Sequence, residues 1–246
     1  VRSTPLGSPP RGRPIDRSVA ESRAQANRMA REAFMASLDA CFSREGSPVH
    51  PMRFVRELER ALPENALIVA DPGISAVYAS AFLKLKGPGR KWIVNFSVGA
   101  LGYGLPAGLG ASYAHDGPVV VLTGDGSFGF TAGELETLKR SGRNVKVVLF
   151  NNECFGWIRA TSRFSSGWSR FATDFSETDY PAVARGFGLE SERAADSANL
   201  ARTLDEMFRQ KGPFFLEMPV LPEDEQVPPV PEWAEEAARL GMDCPY

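Results

Sequence analysis

Two short segments of this 246-residue chain carry residue types suited to holding a charged ligand. Gly124-Asp125-Gly126-Ser127 sets a carboxylate between two glycines. Asn151-Asn152 follows after 24 intervening residues, 127–150. The first segment, GDGSFG, satisfies G-x-G-x-x-G, the turn that admits a dinucleotide pyrophosphate, but a lone match of this kind is weak. Asp125 would repel a pyrophosphate approaching the turn, and the next strand ends in Asn151-Asn152 where a ribose-holding acid is wanted. A divalent cation between Asp125 and a diphosphate turns the carboxylate from obstacle to ligand. Mg2+ takes oxygen ligands in octahedral array and keeps phosphate oxygens and water in its shell. Asp125 would supply a charged oxygen, Asn152 an amide oxygen and Cys154, by spacing, a backbone carbonyl. Gly124 and Gly126 let amide N–H groups approach the phosphates, and Ser127 opens a turn ahead of a helix N-terminus.

These residues need strand ends to hold them, and the surrounding pattern provides them. From His50 onward, helical stretches alternate with short apolar runs. Helices are expected near 52–62, 76–85, 105–115, 131–141, 180–186 and 198–210. Strands are expected at 66–70, 92–94, 118–124, 144–152 and 213–220. Unbroken Val/Ile/Leu runs mark strands buried on both faces, and their alternation with helices predicts an α/β three-layer sandwich around a mostly parallel sheet. The two motifs then fall at carboxyl ends of strands, where ligands of such sheets bind.

Ahead of this region, residues 1–17 are rich in Pro, Gly and Arg and read as a flexible arm. Residues 18–47 read as a helical linker or partner-contacting segment, with a helix over 18–44 that Ser18 and Glu21 open as a capping box. Its apolar stripe is thin, so it should face solvent or a partner. The cofactor domain is taken as 48–221, and 222–246 as an extended tail packing over an opening or a partner. Composition is ordinary for a globular chain, at 43% hydrophobic and 24% charged with net charge -2, which points to neither nucleic acid nor an anionic membrane. No apolar run is long enough to span a bilayer, and the basic start lacks the apolar core of a secretory signal. Three scattered cysteines (Cys41, Cys154, Cys244) argue against a disulfide framework and suggest a cytoplasmic chain.

The spacing of GDG and NN resembles the signature of thiamine-diphosphate enzymes. ELERALPENALIVADPG (57–73), GALGYGLPAGLGA (99–111), GDGSFGFTAGELETL (124–138) and GPFFLEMPVLPEDE (212–225) extend the resemblance over about 48–222. It is closest to the acetolactate synthase, benzoylformate decarboxylase and pyruvate decarboxylase group. The resemblance implies thiamine diphosphate and Mg2+ as cofactors, with Asp125, Asn152 and the Cys154 carbonyl on the metal. Gly73, Ile74 and Ser75 would line the diphosphate with Gly124, Gly126 and Ser127, and Asn152 would border it. Gly99 would accept a hydrogen bond from the aminopyrimidine, and Leu101 would prop the cofactor's two rings into a V, unless it is plain core packing. Glu134 would support its own helix N-terminus, and Cys154 needs no role as a nucleophile.

The implied activity is decarboxylation of a small 2-oxo acid, followed in acetolactate synthase-like members by carboligation of the resulting enamine. In this family an activating glutamate sits in a separate pyrimidine-binding domain, and no second strand–helix series is evident here. The resemblance therefore implies a partner chain carrying that glutamate, in a hetero-oligomer of α2β2 or larger composition. A fragment of a longer lyase or acyltransferase, or a non-catalytic cofactor-binding partner, is the alternative. This chain departs from acetolactate synthases at Ala160-Thr161, where Gln-Trp is typical, and at Phe96-Ser97, where glycines are usual. Phe155, Trp157, Arg159 and Arg163 either line a pocket for an aromatic or anionic substrate or are core aromatics and solvated arginines.

Overall fold

Four apolar runs, LIVA, VVVL, VKVVLF and FFLEM, give the protein its centre. β-Branched and aromatic residues suit a pleated surface, and these are buried on both sides. In the computed structural model, which describes residues 16–85, 91–166 and 169–242, they form β1 (Leu67–Ala70), β3 (Val119–Gly124), β4 (Val145–Asn151) and β6 (Phe214–Pro219). With β2 (Trp92–Val94) and β5 (Glu190–Arg193) they make one sheet of order β2-β1-β3-β4-β6-β5, parallel throughout. The edge strand β5 was not anticipated. Its sequence, ESER, is polar and partly exposed, so it pairs through backbone without the apolar signal that marks its neighbours.

Alternate residues of each strand feed opposite layers. Val69, Val121, Val147, Leu149 and Phe215 pack with α5 (Gly104–Ala111), α7 (Glu134–Ser141) and α9 (Tyr180–Gly186). Phe150, of the other parity, meets Phe54 of α3 (Pro51–Ala61) edge to face, and α3 packs on α4 (Ile74–Phe82) and α10 (Ser197–Arg209). Helices lie within a few residues of their expected places. Lys146, fully buried in β4, donates to Gln210 O (2.8 Å) and Gly212 O (2.7 Å), satisfying carbonyls at the end of α10.

Two compact units divide at Ala40/Cys41. In the first, α1 (Arg17–Ser37) buries none of its residues and exposes Val19, Met29 and Phe34, as a thin stripe implies. Its cap is Asp16, not Ser18: Asp16 accepts from Ser18 N (2.9 Å) and Ser18 Oγ (2.7 Å), leaving Ser18 inside the helix. The helix also stops at Ser37, and a separate short turn, α2 (Asp39–Phe42), follows. Residues 1–15 of the expected arm, and Cys244, lie outside the described residues.

The second unit begins before residue 48. Gly46 N donates to Ser197 Oγ (3.0 Å), and Ser197 N donates to Gly46 O (3.1 Å). The region after Leu221 is likewise part of this unit, and it is not simply extended. Pro231, at a helix N-terminus where its missing N–H costs nothing, opens α11 (Pro231–Arg239). Trp233 and Ala237 of α11 pack with Val227 and Ala160 in a small apolar cluster. Tyr78 of α4 anchors the approach to α11 by donating to Val227 O (3.0 Å). The apolar spacing of WAEEA was masked by the prolines before it.

Candidate functional site

The chain adds β2 to one side of β1, then crosses to lay β3 on the other, so the loops leaving β1 and β3 diverge. At such a switch a crevice opens beyond the carboxyl ends of the strands. Here it is a cavity of about 400 Å3. The β1 end contributes Gly73 and Ile74, the loop before α5 contributes Phe96, Gly99 and Leu101, and the β3 end contributes Gly124 through Ser127. Asn152 and Cys154 follow β4, and Phe155, Gly156, Trp157 and Ile158 continue into α8 (Gly156–Thr161). Ser75 alone of the expected cofactor and metal residues stands back, buried in the first turn of α4.

Asp125 is buried in α6 (Asp125–Phe128), a single turn at the end of β3. Its Oδ1 accepts from Gly126 N (2.7 Å), while Oδ2 is buried without a hydrogen-bond partner. Burial pushes its carboxyl up to about 7 against the pull of nearby backbone amides. A buried carboxylate oxygen left unsatisfied is costly, and a cation is one group that would satisfy it.

The two asparagines divide their work. Asn151 Nδ2 donates to the buried Glu217 (2.7 Å) and Asn151 Oδ1 accepts from Glu153 N (3.2 Å), fixing the turn in which Glu153 takes the left-handed conformation, φ 53°. Asn152 lines the cavity; its Nδ2 donates to Glu223 Oε2 (2.6 Å) and its Oδ1 accepts from Cys154 N (3.3 Å). Bonds from Phe155 N to Thr173 O (2.8 Å) and from Phe175 N to Glu153 O (2.7 Å) hold the Cys154 peptide between them. Burial pushes the Cys154 thiol up to about 12, so it stays protonated and unreactive.

Glycines keep the floor open. Gly73 has φ 140° and Gly99 φ 69°, and neither would bring a Cβ against a neighbour, so both are glycine for conformation. Gly126 is glycine for space, since a Cβ would lie 2.9 Å from the Phe155 ring. Leu101 lines the cavity at 38% exposure, which excludes plain core packing. Glu134 stands in the first turn of α7, the helix it was expected to support.

Four contributors escaped the sequence reading. Asp71, at the β1 end, accepts from Gly104 N (2.9 Å) and Thr123 Oγ1 (2.7 Å), tying β1 to β3 and to the start of α5. Its place after an apolar strand and before Pro-Gly was a visible signal. Glu223, Gly156 and Glu217 had none, because their partners lie far away in the chain. Burial, and repulsion from Asp125 and Asp224, push Glu223 up to about 8. Arg159, considered for substrate binding, is instead buried and paired with Asp224 (3.0 Å) and Asp174 (3.3 Å). The Arg163 guanidinium lies over Phe164, away from the cavity lining. Phe155 and Trp157 do line the cavity.

Residues 71–218 match the family described as "Thiamine pyrophosphate enzyme, C-terminal TPP binding domain". The chain belongs to this family. Among its relatives, the "Acetolactate synthase isozyme 1 large subunit" of Escherichia coli (strain K12) is 27% identical over 196 residues, 79% of this chain and 35% of that protein. The "Acetolactate synthase, chloroplastic" of Arabidopsis thaliana is 30% identical over 198 residues, 77% of this chain and 29% of that one. The chain thus spans about a third of the relatives it matches. A solved structure, "Rhodococcus jostii RHA1 thiamine diphosphate-dependent 4-hydroxybenzoylformate decarboxylase", superposes with TM-score 0.67 over 73% of this chain and 34% of that one, at 22% identity. It supports the fold.

The cavity suits the family's cofactor in a particular way. Its lining carries two acids and, among the described residues, no lysine, arginine or histidine. The lining offers an anionic diphosphate no side-chain positive charge, and a divalent cation would supply it. No group of three or more His, Cys, Asp or Glu side chains able to hold a metal occurs among the described residues. A cation held by Asp125 and Asn152 would draw the rest of its shell from backbone-carbonyl, phosphate and water oxygens, a set that suits Mg2+. No helix among the described residues is long and apolar enough to cross a membrane.

Proposed function

We propose that this chain is the diphosphate-binding subunit of a thiamine-diphosphate-dependent enzyme that decarboxylates a small 2-oxo acid and can carboligate the product. The observation that carries this reading is the unsatisfied buried Oδ2 of Asp125, beside Asn152, in a cavity lined by no cationic side chain among the described residues. Asp125 and Asn152 would hold Mg2+ with the Cys154 carbonyl. Gly73, Ile74, Gly124, Gly126 and Ser127 would border the diphosphate, while Gly99 and Leu101 would seat the organic part. When bound, the cofactor supplies a carbon nucleophile for the 2-oxo carbonyl and an electron sink for decarboxylation.

The chain's own contribution is placement and exclusion of water. Phe96, Leu101, Trp157 and Ile158 give the cavity apolar walls, which favour loss of the charged carboxylate over its retention. Phe96 and Ile158 are also more than half exposed, an apolar rim suited to burial against a partner. In this reading the rim is covered by a pyrimidine-binding partner chain that brings the activating glutamate, in an assembly of two copies of each chain or larger, in the cytoplasm.

Calorimetric titration of thiamine diphosphate with and without Mg2+ tests the cofactor reading. Binding should require the metal, and Asp125→Ala should abolish it; binding indifferent to either would overturn the assignment. Activity assays on the purified chain test the assembly. Full decarboxylase turnover from this chain alone would show that no partner glutamate is needed.

A further inference from the structure

Glu223 lies beyond the residues that match the family, on the segment between β6 and α11, yet it reaches the metal end of the cavity. We propose that Glu223 is a positioning residue that sets which end of the Asn152 carboxamide faces the cation. The inference rests on the metal–diphosphate reading above.

Three observations converge on it. Glu223 is 2% exposed and its Oε2 accepts from Asn152 Nδ2 at 2.6 Å. An amide has one donating and one accepting end, and here it is the NH2 end that meets the Glu223 oxygen. The Oδ1 end is thereby turned away from Glu223, where it accepts from Cys154 N and is left with a second lone pair. The third observation is Gly156. A Cβ there would stand 1.5 Å from Glu223 Oε2 and 2.5 Å from Asn152 Nδ2, so the missing side chain at 156 is the space in which the pair meets. A metal needs the oxygen of an asparagine and is repelled by its NH2. A carboxyl group holding the NH2 therefore favours metal binding without touching the metal, as outer partners of ligands do.

The test is Mn2+ binding to the full chain in the presence of thiamine diphosphate, read from the electron paramagnetic resonance of free Mn2+. Glu223→Gln should weaken Mn2+ binding about tenfold, because a second amide can pair with either end of Asn152. Its thermal unfolding should stay near that of the parent. The same substitution is then made in an Asn152→Asp background. There residue 152 needs no orientation and is repelled by Glu223, so Glu223→Gln should strengthen Mn2+ binding. That reversal of sign separates positioning from the rivals. Weakening in both backgrounds would make Glu223 a direct ligand, and no effect in the parent would make it a structural residue; either overturns the proposal. Parent protein that takes up no Mn2+ with thiamine diphosphate sinks the metal–diphosphate reading itself, a result distinct from both.

Discussion

At the scale of the residue, the site is an exercise in leaving groups unsatisfied on purpose. Asp125 keeps one oxygen without a partner, as Asp224 does, whereas the buried Asp71 and Glu217 have both oxygens bonded. Without metal this oxygen costs stability. Asp125→Ala should therefore lower thiamine diphosphate affinity in Mg2+ by more than about a hundredfold while the apo protein melts no lower than the parent. Titration calorimetry and a thermal scan check the two halves. Gly156→Ala runs the other way. Its Cβ has no room beside Glu223, and the repacking should cost about 1–3 kcal/mol in urea unfolding, with cofactor binding lost as well. The GDG and NN residues were legible as a pair because each is a local motif at a strand end. Glu223 and Gly156 were not, because their meaning is a contact across 67 positions of chain (223 − 156).

At the scale of the element, two supports far from the chemistry hold the site's frame. Lys146 sits in β4 with its ammonium fully buried, and burial pulls it down from 10.5 to about 8. Between those values the unfolded chain holds a proton that the folded one has shed, so stability should rise with pH there, by up to about 1.4 kcal/mol per unit. Lys146→Met should remove that rise, as urea unfolding between pH 7.5 and 10 would register. The second support is α11. Trp233 stacks near Trp157 (4.8 Å between rings) and Phe164 (5.6 Å), so the helix braces the α8 segment that walls the cavity. Trp233→Ala should loosen that brace by about 3 kcal/mol. Faster amide exchange in 156–164 and 231–239, with exchange in β3 and β4 unchanged, would report it. Strands β1, β3, β4 and β6 were legible from apolar runs, whereas β5 was not, because an edge strand pairs by backbone alone. The helix at 231–239 was hidden by a proline-rich lead-in whose spacing suggested an extended tail.

At the scale of the whole molecule, the cavity opens through an apolar rim. Phe96, Leu101 and Ile158 are large, exposed and gathered at one mouth, an arrangement that water disfavours and a partner would cover. If the proposed subunit arrangement holds, Ile158→Lys should break assembly with the pyrimidine-side chain while leaving this chain's own melting within about 0.5 kcal/mol. Sedimentation of the two chains mixed, against each alone, decides it.

The sequence by itself determined the α/β class, the strands that carry the site and the pairing of Asp125 with Asn152. Each of those depends on local spacing, on runs that must be buried and on turns that demand glycine or a particular polar residue. Only the tertiary structure decided that Asn151 is committed to Glu217, that Arg159 is committed to Asp174 and Asp224, and that Glu223 reaches back from beyond β6. The physical reason is the same in each case. A buried polar group is defined by the partner that satisfies it, and these partners come from elements distant in the chain, brought together by the parallel sheet. In the proposed reading the GDG and NN motifs mark where a metal and a diphosphate would sit, and the packing around them chooses which atoms are free to hold them.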